Sequence, residues 1–296
     1  NLLGHNNNWQ YGFLYADSKI DDYQSKNIQY VLLRNKYRIS KKLFIGMMNT
    51  YYKAPSVDMV PDSDQYGYSL KIDNKVNAID FSFDLLNSQS LNIDGQFAQS
   101  IADNIKGYGG NIEIGYSHYI NLNKSFETWL KLENYNKKFD INKMGFLLRN
   151  DIEDLDFGFS FDAYDMNYFL QRAITFQYFH SENYNGTTLE HNIDVSFNAL
   201  FNNYSTINFG LAKDFDHYID KFYDWYFPED NYDIFIKAPL YKQIYLKYSN
   251  DTRENNNYAI KFKYYLDNFN DAGIEYLITN TYKINDKTVI ELTYDE

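Results

Sequence analysis

Ile79-Asp80-Phe81-Ser82-Phe83-Asp84-Leu85 places an apolar side chain at every second position. Successive side chains of a β-strand point to opposite faces, so this stretch has one greasy face and one wet face. The alternation returns at Leu155, Phe157, Phe159 and Phe161, set against Asp156, Gly158, Ser160 and Asp162. It returns again at Ile193, Val195 and Phe197, set against Asp194, Ser196 and Asn198. The wet face is strongly polar and the greasy face is rich in aromatics. That pairing predicts an all-β chain folded as an antiparallel transmembrane β-barrel of the outer-membrane type. About 14 to 16 strands are expected, alone or as part of a larger barrel.

Composition supports the same expectation. The chain has 296 residues, with 31 Tyr and 23 Phe, and aromatics make up 19% of it. Aromatic girdles at both membrane interfaces account for such an excess, as does the plain strand preference of Tyr and Phe. The net charge of −12 argues against nucleic acid, which calls for a basic patch. Mean hydropathy is −0.58, and no run of eighteen apolar residues is present, so no transmembrane helix is expected. With no cysteine, disulfides, thiol catalysis and thiolate metal sites are excluded. No secretory leader is recognisable at Asn1-Leu2-Leu3-Gly4-His5, which suggests a processed chain or a piece of a longer one.

Turn chemistry is carried by Asn, Asp, Ser and Lys, because only four prolines and fourteen glycines occur. Strands are expected near 9–21, 27–39, 43–53, 76–87, 91–101, 108–121, 125–137 and 146–163. Further strands are expected near 168–182, 188–202, 205–217, 232–240, 242–249, 258–267, 272–283 and 287–294. Tight joints such as Asn87-Ser88-Gln89-Ser90 contrast with long ones at 54–75 and 218–231. Short turns on one rim and long loops on the other are the asymmetry of an outer-membrane barrel. No compositional break divides the chain, so residues 1–296 are expected to form one barrel domain.

On the strand 188–202, Leu189, Ile193, Val195, Phe197 and Ala199 form the outward set. Glu190, Asn192, Asp194, Ser196 and Asn198 form the inward set. Each unpaired buried polar group costs about 1–3 kcal/mol, so this face must be wet. Trp129 sits among Glu127, Lys131 and Glu133, as a lumen-facing aromatic or an interface anchor.

Several stretches resemble a large, poorly characterised family of Gram-negative outer-membrane barrels. They are Tyr30-Val31-Leu32-Leu33-Arg34-Asn35-Lys36-Tyr37-Arg38-Ile39-Ser40 with Ile45-Gly46 and Thr50, Asn77-Ala78-Ile79-Asp80-Phe81, and Gly95-Gln96-Phe97-Ala98-Gln99-Ser100. The most specific is Phe139-Asp140-Ile141-Asn142-Lys143-Met144-Gly145-Phe146-Leu147-Leu148-Arg149-Asn150-Asp151. In that family the barrel follows a periplasmic domain resembling the family 9 carbohydrate-binding modules. The resemblance therefore implies that this chain is the C-terminal part of such a protein. The upstream domain and the early strands expected before residue 10 would be missing. It implies no reaction, and any sugar binding by the absent domain cannot be assigned to these residues.

Candidate chemistry is sparse. His180, Glu182, Glu190 and His191 flank a loop at 183–187 and could meet across a hairpin, but no diagnostic metal spacing is present. The acids Asp151, Glu153, Asp154 and Asp156 could serve a glycosidic bond in pairs, though lining a watery lumen explains them with less. Asp62-Ser63-Asp64-Gln65-Tyr66-Gly67 fails as a calcium loop, since Tyr66 occupies a ligand position and no Glu stands at the twelfth place. The loop Phe215–Asp233 combines rings and acids. Tyr223, Trp225 and Tyr226 with Asp224 and Asp230 would suit sugar contact, but a packed loop or aromatic belt is the preferred explanation, because aromatic belts are general to such barrels. Among Arg34, Arg38, Arg149, Arg172 and Arg253, Arg34 and Arg149 are the candidates for lumen pairs with carboxylates, alongside Asp80, Asp84 and Asp194.

The function expected is passage, docking or display at the cell outer membrane, with a glycan-related role through the absent domain, and with no catalytic residue, cofactor or metal. An acidic interior would disfavour anions by charge. Expected partners are outer-membrane lipid and lipopolysaccharide, a glycan ligand, and a partner chain or upstream domain that completes the wall. The rival expectation is a soluble or surface-attached β-rich glycan-binding module or hydrolase, in which the aromatic face would pack a core.

Overall fold

A computed structural model describes residues 2–6, 8–19, 27–53, 73–85, 89–102, 104–141, 149–219, 236–238, 240–251, 253–266, 272–285 and 288–295. Described regular structure is entirely β. The first eight strands are β1 (Leu2–Asn6), β2 (Trp9–Lys19), β3 (Asn27–Arg38), β4 (Leu43–Lys53), β5 (Asp73–Leu85), β6 (Gln89–Ala102), β7 (Ile105–Asn121) and β8 (Lys124–Tyr135). Then come β9 (Ile152–Met166), β10 (Phe169–Glu182), β11 (Thr188–Phe201), β12 (Thr206–Asp214), β13 (Tyr218–Ile219) and β14 (Ile236–Lys237). The chain closes with β15 (Lys242–Ser249), β16 (Asn256–Leu266), β17 (Ala272–Asn285) and β18 (Thr288–Asp295).

Sixteen of these strands make one sheet in chain order from β1 to β12 and on through β15 to β18, with β1 and β18 at the two ends of that order. The small pair β13 and β14 stands apart from it. Two differences from the sequence expectation stand out. The strand expected at 232–240 is, within the described residues, only the two-residue β14. The strand β1 precedes residue 10, where none was anticipated, because Leu2–Asn6 shows no alternation. Its pairing with β2 rests on Gly4, which lies opposite Tyr11 and leaves space for that ring.

The chain divides into two compact units. The first comprises Asn1–Leu86, Leu91–Ile114 and Lys131–Glu153, and the second Asn87–Ser90, Gly115–Leu130 and Asp154–Glu296. In a meander, consecutive connections fall at opposite ends of the strands. Here every second connection is short: 39–42, 86–88, 122–123, 167–168, 202–205, 250–255 and 286–287. The long ones at 54–72, 136–151 and 215–241 all belong to the alternate set.

Register turns the alternation of single strands into rows across neighbours. In the first unit, Tyr11, Asn35, Met47, Ile79 and Phe97 are successive partners from β2 to β6. In the second, Phe197, Phe209, Leu246, Phe262 and Tyr276 run from β11 to β17. Beside them run Val195, Leu211, Ile244, Tyr264 and Ile274. These greasy rows lie open: Ile79 and Phe97 are each 55% exposed and Leu246 is 45%. So does the next row on the same face, where Ile278, paired with Ile260, is 44% exposed. The buried apolar residues are mostly alanines, namely Ala78, Ala102, Ala163, Ala199 and Ala238, joined by Tyr52, Val76 and Phe139. Among the described residues, many large apolar side chains thus lie on an open face.

Candidate functional site on the polar face

The face opposite the greasy rows is organised by hydrogen bonds. In the first unit, Arg34 on β3 reaches over β4 to Asp80 on β5 and pairs with both carboxylate oxygens, at 2.5 and 2.6 Å. Gly46 on β4 makes this possible. A methyl group there would stand 2.7 Å from Asp80 Oδ2 and 2.8 Å from Arg34 Nη2. One guanidinium thus ties three strands together, with the bidentate geometry that carboxylates accept best. Asp84 lies on the same face, four residues along β5.

In the second unit, the indole nitrogen of Trp129 donates to Asp156 at 3.2 Å, and the Gln177 amide donates to the same carboxylate at 3.2 Å. Trp129 therefore belongs to the polar face, where its ring fills the space that a side chain at Gly158 would take. Asp194 lies directly opposite Gln177 on that face. Farther along the sheet, Lys261 and Lys263 on β16 share Glu275 on β17, at 3.2 and 3.1 Å. Lys247 faces Lys261 across β15 and β16. Acids thus gather on β9 to β11, and lysines on β15 and β16.

Rings repeatedly cover glycines of the adjacent strand. Phe81 lies over its partner Gly95, Tyr245 over its partner Gly210, and Tyr265 over its partner Gly273. An isolated glycine weakens a strand, and a neighbouring ring restores the packing it lacks. The cue available in the sequence was Gly inside otherwise regular strands, but pairing each with its ring required the register.

The segment after β8 was not anticipated as part of this face. Residues 136–141 turn back over β5, β6 and β7 of the first unit. Phe139 is 2% exposed, above Asn74 and Ser100, which are fully buried. Asn74 donates to the Asp140 carbonyl at 3.2 Å, and Asp140 N–H donates to Ser100 Oγ at 2.9 Å. The Asn150 amide donates to the carbonyls of Lys137 and Phe139, at 3.0 and 3.1 Å. Over Asn74 and Ser100 the polar face is consequently covered, while Gln96 on the same face of β6 is exposed.

The other candidates disperse. Asp151 sits in a turn with φ 63° and meets Lys137 at 3.7 Å, while Glu153 accepts from Asn134 at 2.7 Å. Asp156 is held by Trp129 and Gln177. His180 lies opposite His191, with ring centroids 5.0 Å apart, and His191 stacks on Phe215. Both imidazoles belong to the apolar-face set with Tyr178 and Ile193, and no metal-binding group of three is found among the described residues. Arg149 is half-buried beside Asn150. Arg172 contacts Met166 Sδ at 3.2 Å.

Arg253 folds onto Asp251 within the 250–255 turn, at 2.6 Å, and its guanidinium lies over Tyr204. The hydrogen bonds from Arg253 hold the Asp251 carboxyl down at about 2. Tyr223, Asp224, Trp225, Tyr226 and Asp230 lie outside the described residues, as do 62–67 and 142–148.

Fold and site together define the class: an all-β protein of one sixteen-stranded antiparallel sheet, with an exposed greasy face and a hydrogen-bonded polar one. Residues 68–296 match the family described as "Domain of unknown function (DUF5916)", and the chain belongs to that family. The matched span includes the stretches at Asn77, Gly95 and Phe139, while the Arg34 hairpin precedes it. No curated protein matches the chain.

Proposed function

We propose that this chain is the wall of an outer-membrane β-barrel that provides passage, docking or display at the cell surface, without catalysis. The observation that carries this reading is the exposed greasy face combined with a buried apolar set made mostly of alanine. Water-exposed apolar patches beyond a few hundred Å² are rare on soluble monomers, and lipid is the solvent that such rows suit. In lipid every backbone polar group must be satisfied internally, which an antiparallel sheet achieves when it closes on itself.

The alternation of short and long connections supports the same reading. Its partners would be outer-membrane lipid and lipopolysaccharide, and a glycan-related role would fall to the ring-rich loop around Tyr223 and Trp225. The soluble glycan-binding or hydrolase alternative requires the aromatic rows to pack a core, and their exposure weighs against it.

The test is refolding of the purified chain into detergent micelles or lipid vesicles. A closed barrel resists dodecyl sulfate until boiled and then changes its electrophoretic migration. A chain that stays monomeric and folded in plain buffer without detergent sinks the proposal.

A further inference from the structure

We infer that Lys213 and Lys242 form a binding site on the greasy face for a phosphate group of outer-leaflet lipopolysaccharide. This rests on the barrel reading above. Lys213 on β12 and Lys242 on β15 are direct partners across neighbouring strands of the second unit. Their row continues through Ile193 on β11 and Leu266 on β16, so both lysines stand on the face otherwise given to apolar side chains. Both are exposed. Like charges placed directly opposite one another repel and weaken a strand pair, so the two ammonium groups call for an anion between them. Among the described residues no carboxylate pairs with either. Asp214 lies on the other face, opposite Asn192, while Asp216 meets Lys237 at 3.2 Å and Glu182 meets His180 at 3.6 Å.

The surroundings fit an amphiphile better than a free anion. The Lys213 ammonium lies 4.3 Å from the centroid of the Phe215 ring, and that ring stacks on His191 with centroids 4.4 Å apart. One ammonium is thereby held on a base of rings at the strand end. Beside the two lysines, away from the strand ends, runs the exposed apolar row of Leu211, Ile244 and Tyr264. A phosphate bridging the ammonium groups would leave its acyl chains lying along that row. A free phosphate would gain nothing from it. Lysine suits this task, being a compact charge on a flexible apolar stem that can follow a headgroup whose depth its own chains fix. The side of the membrane follows from the connections. Lys213 and Lys242 flank the long connection 215–241. Long connections of an outer-membrane barrel are extracellular, and the phosphorylated lipid of that leaflet is lipopolysaccharide.

The purified chain is folded in micelles of a non-ionic detergent, with heat-modifiable migration as the sign of closure. Native mass spectrometry then follows binding of bisphosphorylated lipid A and of its dephosphorylated form, which carries the same acyl chains. The unmodified chain should prefer the phosphorylated lipid by roughly tenfold or more, and the double variant Lys213→Gln, Lys242→Gln should lose that preference. Lys247→Gln removes a lysine from the opposite face of β15 and should leave the preference unchanged. An excess of inorganic phosphate should not displace the lipid. The midpoint of heat modification gives a second readout. Without lipid, the double variant should be at least as stable as the unmodified chain, because a repulsion is gone. Phosphorylated lipid should raise the midpoint of the unmodified chain alone. Equal binding of the two lipids by the closed unmodified chain, or an unchanged preference in the closed double variant, would overturn the site with the barrel reading intact. So would displacement by inorganic phosphate, the mark of a free-anion site. Failure of the unmodified chain to close in micelles would overturn the barrel reading itself, and the site with it.

Discussion

The Arg34–Asp80 pair shows how one small residue sets the reach of a large one. Gly46 leaves the gap through which the guanidinium crosses β4. Gly46→Val should therefore cost about as much as Arg34→Gln, and the double variant should cost no more than either alone. Each loss should be about 1 kcal/mol, since a third of Arg34 stays exposed and solvent screens the pair. The midpoint of heat modification reads it. At the 250–255 turn the direction of a pH effect follows from the ion pair. Asp251 titrates at about 2 in the folded chain, below the carboxylate reference of about 3.9. Its contribution to stability is thus present above the unfolded value and is lost as pH falls through about 2. Carboxyl carbon shifts should place Asp251 there, and Arg253→Gln should return it towards the reference. The arginines and acids of these pairs were visible in the sequence, but their partners were not. Arg34 and Asp80 are 46 positions apart, and only the register brings them together.

At the scale of elements, the rings seated on glycines make neighbouring strands depend on one another. Tyr245 and Gly210 share one packing site, so Gly210→Val and Tyr245→Ala should not add. A double-mutant cycle on the unfolding midpoint would show this as a coupling of about 1 kcal/mol. Trp129 makes a sharper case. Trp129→Phe keeps the ring over Gly158 and loses only the hydrogen bond to Asp156, at a cost of about 1 kcal/mol. Trp129→Ala also empties the space above the glycine and should cost clearly more, about 2–3 kcal/mol. Strand positions were largely legible because a two-residue period survives in almost every strand, from Trp9–Lys19 to Thr288–Asp295. Two things were not. Leu2–Asn6 is too short and too irregular to show the period. Residues 136–141 carry no periodic signal, and their place over β5 to β7 depends on Asn74 and Ser100, which look like ordinary wet-face residues in the sequence.

At the scale of the molecule, the account rests on which solvent meets which face. Ile79, Phe97, Leu246 and Ile278 lie on the open greasy rows, and Gln243, Lys247 and Asn198 lie on the polar one. The chain has no cysteine, so a single cysteine at any of these positions can be labelled without background. The decisive measurement is the accessibility of nitroxide labels at these positions in the protein refolded into lipid vesicles. Labels at Ile79, Phe97, Leu246 and Ile278 should be relaxed by oxygen dissolved in the lipid and protected from a water-soluble nickel chelate. Labels at Gln243, Lys247 and Asn198 should show the reverse. Equal access of the nickel chelate to both sets, or lipid exposure of the polar set, would contradict the account.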